Sequence, residues 1–445
     1  MADSFELPEN LPMDSGSVTA VPEVLQAPAQ PVKLGFVLFQ TLTHLCYYLT
    51  FYPITYLLLP AQVLGIDPLH KVTSLSVVIT VGAFASLIGP PLAGALSDRT
   101  TSRLGRRRPW ILGGALVAVA ALLLLAHAPT ILLVALSWGI AQAAGGAMLN
   151  ALGAIIADRV PQRQRGTISA LVFFFRALGN IVGAVLVASI LTARGNNFAL
   201  VYGALSVLLV LPIAILTLTY RESPLPSRAT APFHLRRFLA NFWVNPRAYP
   251  DFAYAWLASF LLVLGESVGT GYFNYYLRDV IQYAKLFPGH AVEQGVATLS
   301  VISTACLILS ALVSGPLSDR LQRRKAFMIG AGVLIALALL LLALVHSWPV
   351  AMLSSGLISL GFGAYLPVNV ALVIQVLPRA QDRAKDLGLI GIAQTSPSLL
   401  APTLGALAIG SFATSVVTGY TLLFVVAAVL AALGTMCVLP IKHVR

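Results

Sequence analysis

Charged side chains are scarce in this chain. Only 10% of its 445 residues are Asp, Glu, Lys or Arg, whereas 58% are hydrophobic, and the mean hydropathy is +0.86. A soluble fold of this length could not hide so much apolar surface. The scarcity of charge therefore excludes a soluble domain and indicates a chain that lies mostly in lipid.

Cysteines and catalytic motifs are also scarce. Cys46, Cys306 and Cys437 lie in separate apolar segments at unrelated positions, so they form neither a metal-ligand pattern nor a disulfide framework. The sequence has no Ser/His/Asp or Cys/His set and no glycine loop ahead of a lysine that would hold a nucleotide phosphate. We therefore expect neither an enzyme nor an ATP-driven pump, and we expect no metal and no organic cofactor.

Long apolar runs are what the sequence has in abundance. A membrane-spanning helix needs about 20 apolar residues, and twelve such runs are separated by polar or Pro/Gly breaks. They lie at 34–58, 72–96, 110–127, 130–157, 167–192, 199–220, 252–277, 295–317, 326–346, 349–376, 387–410 and 418–440. The sequence therefore predicts an all-α membrane protein with twelve transmembrane helices.

The lysines and arginines gather in alternate loops. Most of the 28 fall where a chain with both termini inside would place its cytoplasmic loops, which is where such residues are retained. We expect a multi-pass plasma-membrane protein, in the inner membrane if the source is bacterial, with both termini cytoplasmic. The net charge of +12 is spread over short loops beside anionic lipid, so we expect lipid and not nucleic acid to face it.

A polar turn recurs in the two parts of the chain. The first copy runs from Gly94 to Trp110, and a shorter copy begins at Gly315. Each copy has the pattern Gly-x-x-x-Asp-Arg and follows the second long apolar segment of its half of the chain. This turn resembles the signature loop of the major facilitator superfamily of secondary transporters. The first copy, Ser-Asp-Arg-x-x-Ser-Arg-x-Gly-Arg-Arg-Arg-Pro-aromatic, resembles more closely the glycoside-pentoside-hexuronide:cation symporters and the plant sucrose:proton symporters.

The resemblance implies a duplicated architecture. Members of the superfamily have two six-helix halves that rock around a site near the membrane midplane. The expected units are a disordered cytoplasmic tail at 1–33, an N-terminal half at 34–220, a cytoplasmic linker at 221–250, a C-terminal half at 251–440 and a cytoplasmic tail at 441–445.

The signature loops are candidate gates. Asp98 ends the second apolar run, where it can accept hydrogen bonds from Arg99, Arg103 or Arg106, and the resemblance implies that this cluster stabilises the outward-open state. The expected gating residues of both copies are Asp98, Arg99, Arg103, Gly105, Arg106, Asp319 and Arg320.

Two charged side chains lie deep inside predicted spans. Glu266 is the one acid far from any loop or tail, and Arg176 lies ten residues beyond Gly166, about 15 Å deep at the helical rise. A cavity between the halves would let Arg176 and Glu266 meet directly, through water or through a substrate group, and so load and release a proton. The alternative is a fixed ion pair that holds the fifth and seventh helices together.

Two more titratable residues are candidates for proton coupling. His44 lies near the middle of the first span, and Asp158 ends the fourth span, at a position tied to proton coupling in the sucrose symporters. The alternatives are a hydrogen-bonded packing role for His44 and a loop carboxylate paired with nearby arginines for Asp158. The predicted coupling set is therefore Glu266, Arg176, His44 and Asp158.

Polar residues in the spans are candidate solute contacts. The resemblance implies that helices 1, 4, 7 and 10 line the cavity, and helix 11 is a further candidate. The polar candidates on these helices are Gln40, Asn150, Asn274, Tyr365, Asn369 and Gln394. The alternative for each is a hydrogen bond that only packs helices together.

These features predict a secondary active transporter, with proton-coupled symport of a sugar or glycoside by a monomer as the first hypothesis. Sodium-coupled relatives carry acids in the second helix, and this chain has none there before Asp98. The second hypothesis is a proton-linked exporter of drug-like or other organic solutes, because the polar residues of the spans are few. A non-transporting membrane assembly factor is the third.

Overall fold

The computed structural model describes residues 31–194, 197–219, 249–376, 391–410 and 415–441, and these ranges contain helices and no strands. The helices of the membrane region are labelled α1 to α12 in chain order. They are Leu34–Ile66, Lys71–Ser97, Arg108–Ala126, Ile131–Arg159, Gln162–Arg194, Phe198–Thr219, Pro250–Asp279, Val292–Leu321, Arg324–Leu344, Trp348–Val376, Pro397–Gly410 and Val416–Met436.

The predicted all-helical membrane fold is confirmed. Eleven helices in the described ranges are long and apolar enough to cross a bilayer, and each coincides with a predicted apolar run. The remaining predicted run, 387–410, begins outside the described residues, and α11 covers its second part. Helices are the expected solution because lipid offers no hydrogen bonds, so each segment must satisfy its own backbone.

Two helices depart from regular geometry near the same membrane face. In α1 a π-helical turn at Ile54–Leu58 follows Pro53, which lacks a backbone N–H, and the helix then continues to Ile66, beyond the predicted end at 58. Helix α7 is interrupted after Thr270 and resumes at Phe273. Both irregularities border the space between the two halves of the chain, where non-helical backbone is tolerated in membranes.

The packing of the two halves repeats. In the first half α2 packs on α4 and α3 packs on α4; in the second half α8 packs on α10 and α9 packs on α10. The halves meet where α2 packs on α11 and α5 packs on α8. This repetition agrees with the internal duplication that the signature loops indicate.

Small residues set how closely the helices of one half approach. A Cβ atom on Gly179 of α5 would lie 2.6 Å from the carbonyl oxygen of Leu45 in α1, and one on Gly183 would collide with the Leu49 carbonyl. These glycines bring the α5 backbone against α1. Arg176 lies three residues before Gly179, on the same side of α5, and its guanidinium contacts the ring of Tyr48 in α1.

The loops divide between two membrane faces. The Asp98 face carries the loops after α2, α4 and α8, and the Asp279 face carries the loops after α1, α7 and α9. Most of the predicted N-terminal tail (1–33), linker (221–250) and C-terminal tail (441–445) lies outside the described residues.

Candidate functional site

A cavity of about 890 Å³ lies between the two halves. Helices α1 and α5 line it from the first half, and α7, α8, α10 and the residues just before α11 line it from the second. Its volume is within the range of about 300–1,000 Å³ that holds small organic ligands. The cavity therefore has the position and size of a solute site.

Arg176 and Glu266 line this cavity from opposite halves, and they are the only acidic or basic side chains among its described lining residues. No ion pair joins them in the described part of the chain, where the pairs formed lie elsewhere. The structure therefore brings the two predicted residues to one cavity without the fixed ion pair that was the alternative.

Arg176 has an aromatic neighbour and, among the described residues, no anionic one. Its guanidinium carbon lies 4.5 Å from the ring centroid of Tyr48, and His44 and Tyr47 are close enough to interact with its charge. A cation–π contact contributes about 0.5–2 kcal/mol, whereas a charged arginine inside a bilayer costs at least about 2.5–3.5 kcal/mol. The remaining cost must be met by water or by a solute in the cavity.

Glu266 lies one turn before the interruption of α7. Its Oε1 accepts a hydrogen bond of 3.3 Å from Thr270, and its Oε2 accepts one of 3.4 Å from Ser267. Tyr52 and Tyr56 of α1 face it across the cavity and are close enough to interact with its charge. Both hydrogen bonds are long, and no described basic side chain forms an ion pair with this carboxyl group.

Two side chains at the cavity wall carry polar atoms with no hydrogen-bond partner among the described residues. These atoms are both amide atoms of Asn274, which is 3% exposed, and Oδ1 of Asn180. The hydroxyl of the fully buried Tyr365 lies beside Ser259 and Gln394. Buried polar atoms without partners are uncommon in native proteins. Water or a hydrogen-bonding solute in the cavity would complete their hydrogen bonds.

Of the predicted solute contacts, Asn274, Tyr365 and Gln394 line the cavity, but Gln40, Asn150 and Asn369 do not. The fully buried Gln40 donates to the Leu152 carbonyl. Asn369 accepts a 3.0 Å hydrogen bond from Ser259.

In this structure the hydrogen bonds of Gln40 and Asn369 pack helices together, which was the alternative to a solute contact for each residue. Asn150 lies beside Gly94 of α2. These three residues therefore lie outside the lining of this cavity, because their side chains point toward neighbouring helices of their own half.

His44 also lies outside the cavity lining. It is 6% exposed, and its Nδ1 is 2.7 Å from the carbonyl oxygen of Gln40 one turn earlier. Its position agrees with a hydrogen-bonded packing residue beside Arg176.

The Asp98 face carries an ion-pair network within the first half. Arg107 binds Asp98 at 2.6 Å and Asp158 at 3.1 Å, and Arg106 binds Asp158 at 2.6 Å. Arg107 also donates to Ser97. Asp158 is therefore a loop carboxylate paired with arginines, and the network joins the end of α2 to the end of α4.

Arg107 is not among the predicted gating residues, because three successive arginines cannot be told apart by spacing. Gly105 has a φ of +99°, a left-handed conformation that favours glycine, and the turn it makes directs Arg106 and Arg107 toward α4. Arg106 binds Asp158 instead of the predicted Asp98.

The other predicted gating residues have separate environments. Arg99 donates to the Ala95 carbonyl at 2.6 Å, whereas Arg103 and Arg320 are exposed. The side chain of Asp319 lies outside the described residues.

The Asp279 face joins the halves. Lys71 at the start of α2 binds Asp279 at the end of α7, with 2.6 Å between Nζ and Oδ1, and Tyr420 donates to the other oxygen of Asp279. Tyr275 donates to the Pro60 carbonyl, and Tyr52 donates to Ser300. These contacts close the cavity toward the Asp279 face.

The profile of the Major Facilitator Superfamily matches residues 40–292 and 282–444. The chain belongs to this superfamily. It is a transporter and not an enzyme, as the sequence analysis predicted.

Several relatives share short regions with the chain. The uncharacterized transporter YfiU of Bacillus subtilis is 33% identical over 23% of the chain and 20% of its own length. The general alpha-glucoside permease of Schizosaccharomyces pombe is 28% identical over 25% of the chain and 23% of its own length. The sucrose transport protein SUC4 of Arabidopsis thaliana is 30% identical over 24% of the chain and 25% of its own length. The chain thus aligns with a quarter or less of the length of each of these relatives.

The solved structure of the nucleoside transporter NupG matches with a TM-score of 0.69, covering 92% of this chain and 100% of the other. At 16% identity this similarity establishes the fold and leaves the solute open. The major facilitator fold predicted from the loops is therefore confirmed.

Proposed function

We propose that the protein is a proton-coupled symporter of a sugar or glycoside that works by alternating access. The observation that carries this proposal is the cavity between the halves, which Glu266 and Arg176 line from opposite halves without forming an ion pair. One group can carry a proton, and the other can change its affinity for that proton. The rest of the wall supplies hydrogen bonds and aromatic faces for a solute.

The cavity wall supports a polyhydroxylated solute. Asn180 and Asn274 present polar atoms that lack partners among the described residues. Tyr365 adds a hydroxyl group, and Tyr52 and Tyr56 add aromatic rings. Sugar sites generally combine several hydrogen-bonding groups with aromatic faces. The short similarities to a glucoside permease and a sucrose transporter favour the same class.

Proton coupling would follow from movement of the two halves. An approaching guanidinium stabilises the charged form of a carboxyl group, and its withdrawal allows the proton to bind again. Arg176 is on α5 and Glu266 is on α7, so rocking of one half against the other changes their separation. Each transport cycle would then bind and release one proton at Glu266.

The two membrane faces would act as alternate gates. The lysine and arginine distribution favours a cytoplasmic Asp98 face. The contacts around Lys71 and Asp279 would then close the site to the outside. When those contacts break, the network of Asp98, Arg107 and Asp158 would keep the α2 and α4 ends together as one moving unit.

The second candidate function is export of drug-like or other organic solutes. Large apolar side chains, including Phe173, Phe174, Leu307, Leu312 and Phe362, line part of the cavity. Such walls suit apolar solutes.

The test is uptake of a panel of labelled sugars and glycosides, and of cationic and neutral drugs, into proteoliposomes with and without an imposed pH gradient. We expect a pH gradient to drive accumulation of at least one sugar. The Glu266→Gln variant should lose accumulation but keep exchange of the same sugar, because binding does not need the titrating group.

The matched control is Glu293→Gln, which removes a carboxylate that is paired with Arg278 and does not line the cavity. It should accumulate sugar like the unmodified protein. Accumulation of drugs alone would favour the exporter, and pH-dependent accumulation by a well-folded Glu266→Gln variant would exclude Glu266 as the coupling residue.

A further inference from the structure

The wall of the cavity contains one cation that lacks an anion among the described residues. Arg176 is exposed and lines the cavity, and its guanidinium lies against the ring of Tyr48. Its guanidinium fork can bind a carboxylate through two parallel hydrogen bonds. Since neither Glu266 nor another described acid occupies the fork, the space next to Arg176 is suited to an anionic group of the solute.

Asn180 extends this patch along α5. It lies four residues after Arg176, so both side chains share one helix face, and both line the cavity. The buried Oδ1 of Asn180 has no donor among the described residues, and a solute hydroxyl would supply one. The α5 surface thus offers a cation and, one turn away, a hydrogen-bond acceptor.

We propose that the solute is a hydroxylated acid, such as a sugar acid, whose carboxylate binds Arg176 and one of whose hydroxyl groups donates to Asn180. This inference rests on the proposed function and narrows its substrate class from sugars in general to sugars that carry one negative charge. The opposite wall, with Asn274 and Tyr365, then binds the remaining hydroxyl groups.

Charge balance in the cavity supports an anionic solute. In the empty protein the charges of Arg176 and Glu266 cancel. In the loaded protein a proton neutralises Glu266, and the solute carboxylate neutralises Arg176. The cavity is then neutral in both states that cross between the two faces, which avoids moving a net charge through lipid.

A neutral sugar would leave the loaded cavity with the uncompensated charge of Arg176. The other titratable side chains near the two residues are His44, Tyr47 and Tyr48 around Arg176, and Tyr52 and Tyr56 around Glu266. None of these five is acidic enough to serve as a permanent anion at neutral pH. A solute carboxylate is therefore the simplest counter-ion.

The experiment compares two probes that differ in one carboxylate, glucuronate and glucose, in proteoliposomes. A pH gradient and a potassium diffusion potential are imposed separately. We expect glucuronate uptake to respond to the pH gradient and not to the potential, because one proton and one anion move together. Saturable glucose uptake that responds to both gradients, with no glucuronate uptake, would overturn the inference while leaving the proposed function intact.

Variants of Arg176 test the residue assignment. Arg176→Gln should weaken glucuronate binding by roughly ten- to a hundredfold, as expected for loss of a charge-assisted hydrogen bond, and Arg176→Lys should restore part of it. The matched control, Arg278→Gln, removes an arginine that does not line the cavity and should bind glucuronate normally. Thermal stabilisation of the purified variants by glucuronate provides the binding curves and shows that they are folded.

The two proposals fail in different ways. Binding of benzoate, an acid without hydroxyl groups, in an Arg176-dependent manner and without binding of either sugar would contradict the sugar function but retain the anion site. Equal glucuronate binding by Arg176→Gln and the unmodified protein would contradict the anion site. Absence of binding by all three probes would contradict the anion site, and absence of accumulation for every sugar and glycoside of the labelled panel would contradict the sugar function.

Discussion

Individual side chains in the cavity are informative because polar groups are costly in a membrane protein interior. Asn274 is almost fully buried, and neither of its amide atoms has a partner among the described residues. Such a group needs a partner, which water or a solute in the cavity can provide. Asn274 lies just after the interruption of α7 and Glu266 lies just before it, so one short stretch of this helix provides both polar side chains.

Alanine substitution at Asn274 should weaken solute binding by about 0.5–1.5 kcal/mol, which is the net contribution of one hydrogen bond. Asn150→Ala serves as the control because Asn150 does not line the cavity. Binding curves for the best transported sugar, measured by thermal stabilisation, give the comparison. Equal affinities for Asn274→Ala and Asn150→Ala would remove Asn274 from the site.

The sequence predicted some of these residues and missed others for physical reasons. Arg176 and Glu266 are recognisable in the sequence because a charge far from the ends of an apolar helix requires compensation. Asn180 has no such signal, since an asparagine can pack helices as readily as it can bind a solute. The one sequence feature that could have indicated Asn180 is its position four residues after Arg176, on the same face of the helix.

Whole helices show where hydropathy is a sufficient guide. The spans are predictable because each apolar run must satisfy its own backbone in lipid. The extension of α1 to Ile66 was missed because Pro53 and Pro60 suggest an ending, whereas the π-helical turn at Ile54–Leu58 lets the helix continue.

Contacts between helix ends of different halves cannot be predicted from the spacing of residues in the sequence. Lys71 and Asp279 both occur at predicted loop boundaries, and nothing in the sequence indicates that the start of α2 and the end of α7 lie side by side. Their ion pair has side-chain exposures of 19% and 17%, so it is partly protected from water. The pair is therefore a candidate latch for the closed Asp279 face.

Lys71→Met should shift the protein toward opening at the Asp279 face. The variant keeps the hydrogen bond between Tyr420 and Asp279 but removes the ion pair that joins Asp279 to α2. In an Asn274→Cys background, labelling of the new cysteine should become about two- to fivefold faster. This small factor reflects the small energy of a partly exposed ion pair. Lys285→Met is the control, since Lys285 is an exposed lysine near the same face. Unchanged labelling in Lys71→Met would show that the pair does not hold the halves together.

The molecule as a whole is organised so that, in the described ranges, charge is confined to its faces and to one cavity. Ion pairs tie the α2 and α4 ends together at one face and join the halves at the other. Between these faces, Arg176 and Glu266 are separate in this structure. An arrangement of this kind allows the halves to move without breaking a strong pair at the centre, and it leaves both groups available for a proton and a solute.

The measurement that tests this account most directly is proton uptake on solute binding by the purified protein in weakly buffered solution, followed with a pH-sensitive dye. The sugar that accumulates best in the panel is the ligand, and the titration is repeated across the pH range in which the protein remains folded. Coupling through Glu266 predicts that solute binding takes up a proton in the unmodified protein and in Glu293→Gln, but not in Glu266→Gln. The same proton uptake in Glu266→Gln would contradict the account.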